Sequence, residues 1–126
     1  MEEIIDPSRK MRKILISPKH FFERAMGKKL FSSPGKAESF VIKAIKNHGV
    51  LIEPLMREEN VYWCMFKSDL GILVCCPITL VGSSFLVKTV WPVEDSLCKQ
   101  AYKEIIRKRR ARLSKLKYLP LLSLFF

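Results

Sequence analysis

Residues 50–92 decide the fold, and they read VLIEPLMREENVYWCMFKSDLGILVCCPITLVGSSFLVKTVWP. Short runs rich in β-branched and aromatic residues alternate there with turn sequences such as Ser68-Asp69-Leu70-Gly71, which is typical of strands joined by tight connections. Strands with such short links pair most simply with their sequence neighbours in an antiparallel sheet. We therefore predict four antiparallel strands, at Val50–Met56, Val61–Phe66, Ile72–Pro77 and Phe85–Trp91.

The residues before this sheet have helical patterns. Ser17-Pro18 provides a capping hydroxyl followed by a proline in the first turn, so a first helix is predicted over about 18–30. Ser32-Ser33-Pro34-Gly35 forms a second cap, and a second helix is predicted over about 35–47. Gly49 follows that helix and can adopt the left-handed conformation of a helix end.

The residues after the sheet carry the densest charge. The acidic run Glu94-Asp95-Ser96 suits the N-terminus of a third helix, whereas residues 103–117 contain eight Lys and Arg residues and the single acid Glu104. The predicted fold is therefore α+β, with two N-terminal helices, a four-stranded antiparallel sheet and a C-terminal basic helix. Its predicted parts are a lead-in segment (1–16), an α+β core (17–92) and the basic helix with an apolar tail (93–126).

The charge of the chain predicts an anionic partner. Its 126 residues include 23 Lys and Arg against 12 Asp and Glu, a formal net charge of +11. Such a surface attracts phosphate backbones because each neutralised phosphate releases condensed counterions. A merely lysine-rich surface, an anionic membrane surface and an acidic protein partner are the alternatives. We predict that nucleic acid, RNA before DNA, is contacted by Lys28, Lys29, Lys103, Arg107, Lys108, Arg109, Arg110 and Arg112.

The cysteines and the absent motifs limit the chemistry. Cys64, Cys75, Cys76 and Cys98 form no CxxC pair, and the adjacent Cys75 and Cys76 would point to opposite faces of a strand, which is poor geometry for zinc. Four buried, reduced thiols of a cytoplasmic protein are the simplest interpretation. Nucleotide-binding and zinc-protease motifs are missing, and the apolar runs are too short for a membrane helix. We therefore predict no cofactor, no metal and no transmembrane segment.

A candidate catalytic pair lies on the first predicted helix. His20 and Arg24 are four residues apart and share one face, while Phe21 and Phe22 point mainly toward the core. An imidazole that moves a proton and a guanidinium that binds phosphate oxygens suit phosphodiester chemistry. The alternative is an ordinary exposed polar face, with His20 near Glu23.

The last predicted strand supplies two further candidates. Residues 87–92 read VKTVWP, and strand alternation places Thr89 with Trp91 on one face and Lys88 with Val90 on the other. Either Lys88 or Thr89 could therefore face the first helix. The alternative is a plain sheet strand.

Together these features resemble the RelE-like and barnase-like group of small ribonuclease folds, and within it the histidine-containing family of uncharacterised toxin-like domains. The resemblance covers about Ile16 to Pro92 and rests on the pattern S-x-x-H-x-x-x-R from Ser17, on the V-x-T-V-[WY]-P strand and on the order of elements. It implies a metal-independent endoribonuclease, often a toxin held by an antitoxin. By that resemblance His20 is the acid or base, Arg24 is the phosphate ligand and Thr89 lines the site.

The resulting hypothesis is that the 2′-hydroxyl of RNA attacks the adjacent phosphate. His20 would move the proton, while Arg24 and Lys88 would stabilise the charged phosphorane. Two alternatives stay open. The chain could be a non-catalytic nucleic-acid-binding module that uses the basic helix, or a mobile-element-encoded interaction or inhibitor protein.

Overall fold

The computed structural model describes residues 1–54, 56 and 58–123, and side chains up to Ser114. Lys115 and Lys117 of the predicted basic run and the whole predicted apolar tail therefore lie outside the described side chains. Residues 124–126 lie outside the described residues altogether. The regular elements of the described part are β1 (Lys13–Ile16), α1 (Pro18–Gly27), α2 (Pro34–Lys43), β2 (Val50–Ile52), β3 (Val61–Lys67), β4 (Leu73–Val81), β5 (Ser84–Val87), β6 (Trp91–Pro92) and α3 (Ser96–Ser123). A 3₁₀ turn at Arg9–Met11 precedes β1, and a π-helical turn at Ala44–His48, called the π turn below, continues α2.

One mixed sheet contains these strands, in the order β1-β5-β4-β3-β2, with β6 also paired to β4. The pairs from β2 to β6 are antiparallel, but β1 runs parallel to β5, with Lys13 opposite Ser84 and Ile16 opposite Val87. The predicted α+β class is confirmed. The prediction of a purely antiparallel four-stranded sheet is wrong, and so is the placement of two helices before every strand. The end of the predicted lead-in forms β1, and local patterns do not reveal this strand because its partner lies far along the chain.

The last predicted strand is divided by a bulge. Val87 lies opposite Ile78 and Trp91 lies opposite Cys75. The segment from residue 87 to residue 91 therefore contains one more residue than the stretch of β4 that it faces. Val87 and Val90 consequently both reach the same hydrophobic core. The strict alternation predicted for residues 87–92 is therefore wrong, because it ignores the extra residue.

The sheet lies between two layers of helix. On one face, Phe21 and Ala25 of α1 and Val41 of α2 share a core with Cys64 and Cys76. On the other face, side chains of α3 share a second core with residues of β2, β3 and β4, including Cys98, Ile105, Val50, Met65 and Cys75. Cys75 and Cys76 thus face opposite sides, as predicted, and all four cysteines are buried and unpaired.

The predicted helix starts lie close to the observed ones, although the predicted cap by the Ser17 hydroxyl is wrong, because the Ser17 side chain makes no capping hydrogen bond. The other two starts have side-chain caps. The Ser33 hydroxyl accepts a hydrogen bond from the Lys36 N–H at 3.2 Å, and the Asp95 carboxylate accepts one from the Leu97 N–H at 2.8 Å. Helix α1 ends at Gly27 rather than near residue 30, because Lys29 adopts a left-handed conformation with φ of 54°.

Gly49 serves a different purpose from the predicted one. Its φ of −72° and ψ of 151° are extended, so it is not a left-handed helix end. A Cβ atom at this position would lie 2.6 Å from Cys64 Sγ and 3.0 Å from both Cβ and O of Ala44. Glycine therefore allows the π turn to pack directly against β3.

We predict that Gly49→Ala destabilises the protein by about 1–3 kcal/mol, because the new methyl group overpacks a buried contact. Urea unfolding measures the change. Gly27→Ala is the matched control: nothing lies within 4 Å of a Cβ there, so this helix position should be neutral or stabilised by up to about 1 kcal/mol. Equal stability of the Gly49 variant and the native chain would contradict this role of Gly49.

Candidate functional site

Helix α3 has one face in the core and one in solvent. Cys98 and Ile105 are buried, and Tyr102 and Ile106 pack beside them. The solvent side carries exposed cations spaced three or four residues apart, which puts neighbours about 4.5–6 Å apart along the axis. We call this row the basic stripe, and its members are Lys99, Lys103, Arg107 and Arg110.

The basic stripe keeps most of its charge. Arg107 donates a hydrogen bond to Glu104 at 2.7 Å, and this bond lowers the pKa of Glu104. Both side chains are more than half exposed, so the ion pair is weak in water. Glu104 is the only acid of α3. Lys108, another predicted ligand, is also exposed on α3.

Arg109 points the other way, into the protein. Its Nε donates to the Glu3 carboxylate at 2.8 Å, its Nη1 to the His48 carbonyl at 2.8 Å and its Nη2 to the Gly49 carbonyl at 3.0 Å. Arg112 lies 3.4 Å from the second oxygen of Glu3. Of the predicted nucleic-acid ligands, Arg109 therefore has a full set of intramolecular partners.

Arg9 approaches the same place from the N-terminal segment. It is only 8% exposed, and it donates to the carbonyl groups of Ala44 and Ile45 and, at 2.9 Å, to that of Gly49. Arg9 and Arg109 thus share one carbonyl oxygen, and we call this arrangement the arginine clamp. Sequence reasoning missed Arg9, because its partners are backbone groups that carry no side-chain signal.

The clamp satisfies the end of a helix. Carbonyl groups in the last turn of a helix lack intrahelical donors and carry the negative end of the helix dipole. Arg9 and Arg109 supply both donors and positive charge to the π turn. Burial lowers the pKa of Arg9, the charge of Arg109 lowers it further, and Glu3 acts in the opposite direction.

A cleft of about 670 Å³ opens beside the clamp, between the N-terminal segment, the π turn and α3. We call it the basic cleft. It has two acidic lining residues, Glu3 and Asp6, and Asp6 bonds to Ser8 and Arg12. The Lys and Arg residues that line it are Arg9, Lys10, Lys46, Arg109 and Arg112.

The predicted catalytic residues lie away from this cleft. His20 and Arg24 are exposed on α1, Lys88 is exposed and Thr89 is half-buried. The Ser17 N–H donates to the Val87 carbonyl at 2.8 Å, so the start of α1 adjoins the chain that leads into Lys88 and Thr89. Within the described residues, no hydrogen bond or ion pair joins the four predicted side chains. Lys28 and Lys29 are exposed after α1.

No family model, curated protein or solved structure matches the chain. Among the described residues, no group of three or more His, Cys, Asp and Glu side chains could hold a metal ion. None of the described helices is both long and apolar enough to cross a membrane.

Proposed function

We propose that this protein binds nucleic acid and that the basic stripe is its principal contact surface. The observation that carries the proposal is the exposure of Lys99, Lys103, Arg107 and Arg110 along one side of a helix whose other side is anchored in the core. Cations on an anchored helix can meet a phosphate backbone without first ordering the chain that carries them.

The energetics of the stripe also favour an anionic ligand. Like charges three or four residues apart on a helix repel by about a few tenths of a kcal/mol per pair. The burial of Cys98 and Ile105 offsets that repulsion in the free protein. Phosphates would relieve it directly and would release counterions as well. The resemblance to small ribonuclease folds favours RNA over DNA.

Replacing Lys99, Lys103, Arg107 and Arg110 by glutamine should weaken binding to a short RNA irrespective of its sequence. Each lost phosphate contact flattens the plot of log K against log salt by about 0.7–0.9, so up to roughly three units should disappear. Fluorescence anisotropy over a range of salt concentrations measures the slope.

A matched control removes the same charge elsewhere, through Lys19→Gln, Lys36→Gln, Lys43→Gln and Lys67→Gln at exposed positions that are not among the predicted ligands. This control should retain most of the slope. A larger loss in the control would move the contact surface to the α1 side of the molecule. Equal slopes for the stripe variant and the native chain would refute the proposal.

A metal-independent endoribonuclease is the second candidate function. The hydrogen bond from Ser17 to Val87 favours it, because that bond holds the first turn of α1, with His20, beside the segment that carries Lys88 and Thr89. Arg24 lies one further turn along α1. The exposed imidazole of His20 could move a proton while the guanidinium of Arg24 binds the phosphate.

The two histidines of the chain provide an internal control for this activity. If the chain cleaves RNA with EDTA present, His20→Ala should lower the rate by at least about 100-fold. His48→Ala should leave the rate unchanged, and neither change should shift the melting temperature much, because both side chains are exposed. Gel electrophoresis of a labelled RNA follows the cleavage. Equal cleavage by the His20 variant would exclude the catalytic assignment.

A further inference from the structure

The basic cleft holds more positive charge than its own contacts neutralise. The described contacts of the buried Arg9 guanidinium are backbone carbonyls and the Cys64 sulfur at 3.9 Å, and none is a carboxylate. Arg109 and Arg112 share the single carboxylate of Glu3. The clamp therefore places two guanidinium groups against one carbonyl oxygen with one nearby anion.

The lining of the cleft includes two further cations that have no partner among the described residues. Lys10 and Lys46 both line the cleft, one on the N-terminal segment and one on the π turn. Both are exposed, and neither forms a hydrogen bond or ion pair with the described residues. The other acid, Asp6, is engaged by Ser8 and Arg12, so it does not neutralise them.

We propose that the basic cleft is a second anion site, distinct from the basic stripe, and that it binds a phosphate or diphosphate group. Lys10, Lys46 and Arg112 are the direct ligands, while Arg9 and Arg109 provide positive potential from the floor. Burial is the largest cause of the lowered pKa of Arg9 and the charge of Arg109 lowers it further, whereas an anion in the cleft would act in the opposite direction.

The size of the cleft defines the ligand further. About 670 Å³ lies within the range of small-molecule sites and is larger than one phosphate needs. The cleft thus has room for a phosphate together with the group that it esterifies. That group can be the terminal nucleotide of a strand or a free phosphate ester, which present the same chemistry to the cations.

Inorganic pyrophosphate is the probe, because it needs no nucleic acid and so tests the cleft independently of the stripe. Isothermal titration compares the native chain with the double variant Lys10→Gln/Lys46→Gln. The matched control is Lys99→Gln/Lys103→Gln, which removes the same charge from the stripe. We expect the cleft variant to bind pyrophosphate about tenfold more weakly or worse, and the control to change less than about twofold.

Two outcomes would overturn the proposal. One is the absence of pyrophosphate binding to the native chain at millimolar concentrations, and the other is equal weakening in both double variants, which would indicate net charge alone. The melting temperatures of both double variants should match that of the native chain. If the cleft double variant unfolds, the single variant Lys46→Gln replaces it in the titration.

A second comparison identifies the source of the phosphate. The same short RNA is titrated with a 5′-phosphate and with a 5′-hydroxyl. A preference for the 5′-phosphate that disappears in the cleft variant assigns the site to strand ends. Equal affinities for the two RNAs, together with pyrophosphate binding, assign it to a free phosphate ester. If the native chain binds pyrophosphate but does not bind RNA, the proposed function is refuted and the proposal for the cleft still stands.

Discussion

The carbonyl oxygen of Gly49 accepts hydrogen bonds from Arg9 and Arg109, and this shared acceptor joins three parts of the chain that are distant in sequence. The N-terminal segment, the π turn and α3 all meet there. A side chain at residue 49 would collide with Cys64, so the approach requires glycine. Two arginines on one oxygen would repel strongly without the dipole of the helix end and the Glu3 carboxylate, which together make the arrangement stable.

This constraint divides the cations of α3 by direction. Because Arg109 is held toward the body of the protein, the helix is fixed in rotation, and Lys103, Arg107 and Arg110 are turned to solvent. Neighbouring residues in one basic run therefore have different roles. Arg109 stabilises the fold, while the cations of the stripe remain available to a ligand.

Local patterns predicted the α+β class, the helix starts and the burial of the cysteines, because capping residues and apolar runs act over a few residues. They did not predict β1, whose pairing with β5 links residues 13–16 to residues 84–87. They also missed the bulge before Trp91, since one extra residue leaves no compositional trace. For the site, charge density pointed to α3, but only the packing of the helix separates Arg109 from Arg110. The sequence did not indicate a role for Arg9, because the groups that accept its hydrogen bonds are backbone carbonyls.

The direct test of the clamp compares the unfolding free energies of Arg109→Gln and Arg110→Gln, two neighbouring changes with the same loss of charge. Loss of hydrogen bonds to Glu3, His48 and Gly49 should cost the first variant about 2–5 kcal/mol in urea unfolding, because a carboxylate and two carbonyls lose their charged donor. Arg110 is exposed, and its variant should stay within about 0.5 kcal/mol of the native chain. Equal stability of the two variants would contradict the clamp.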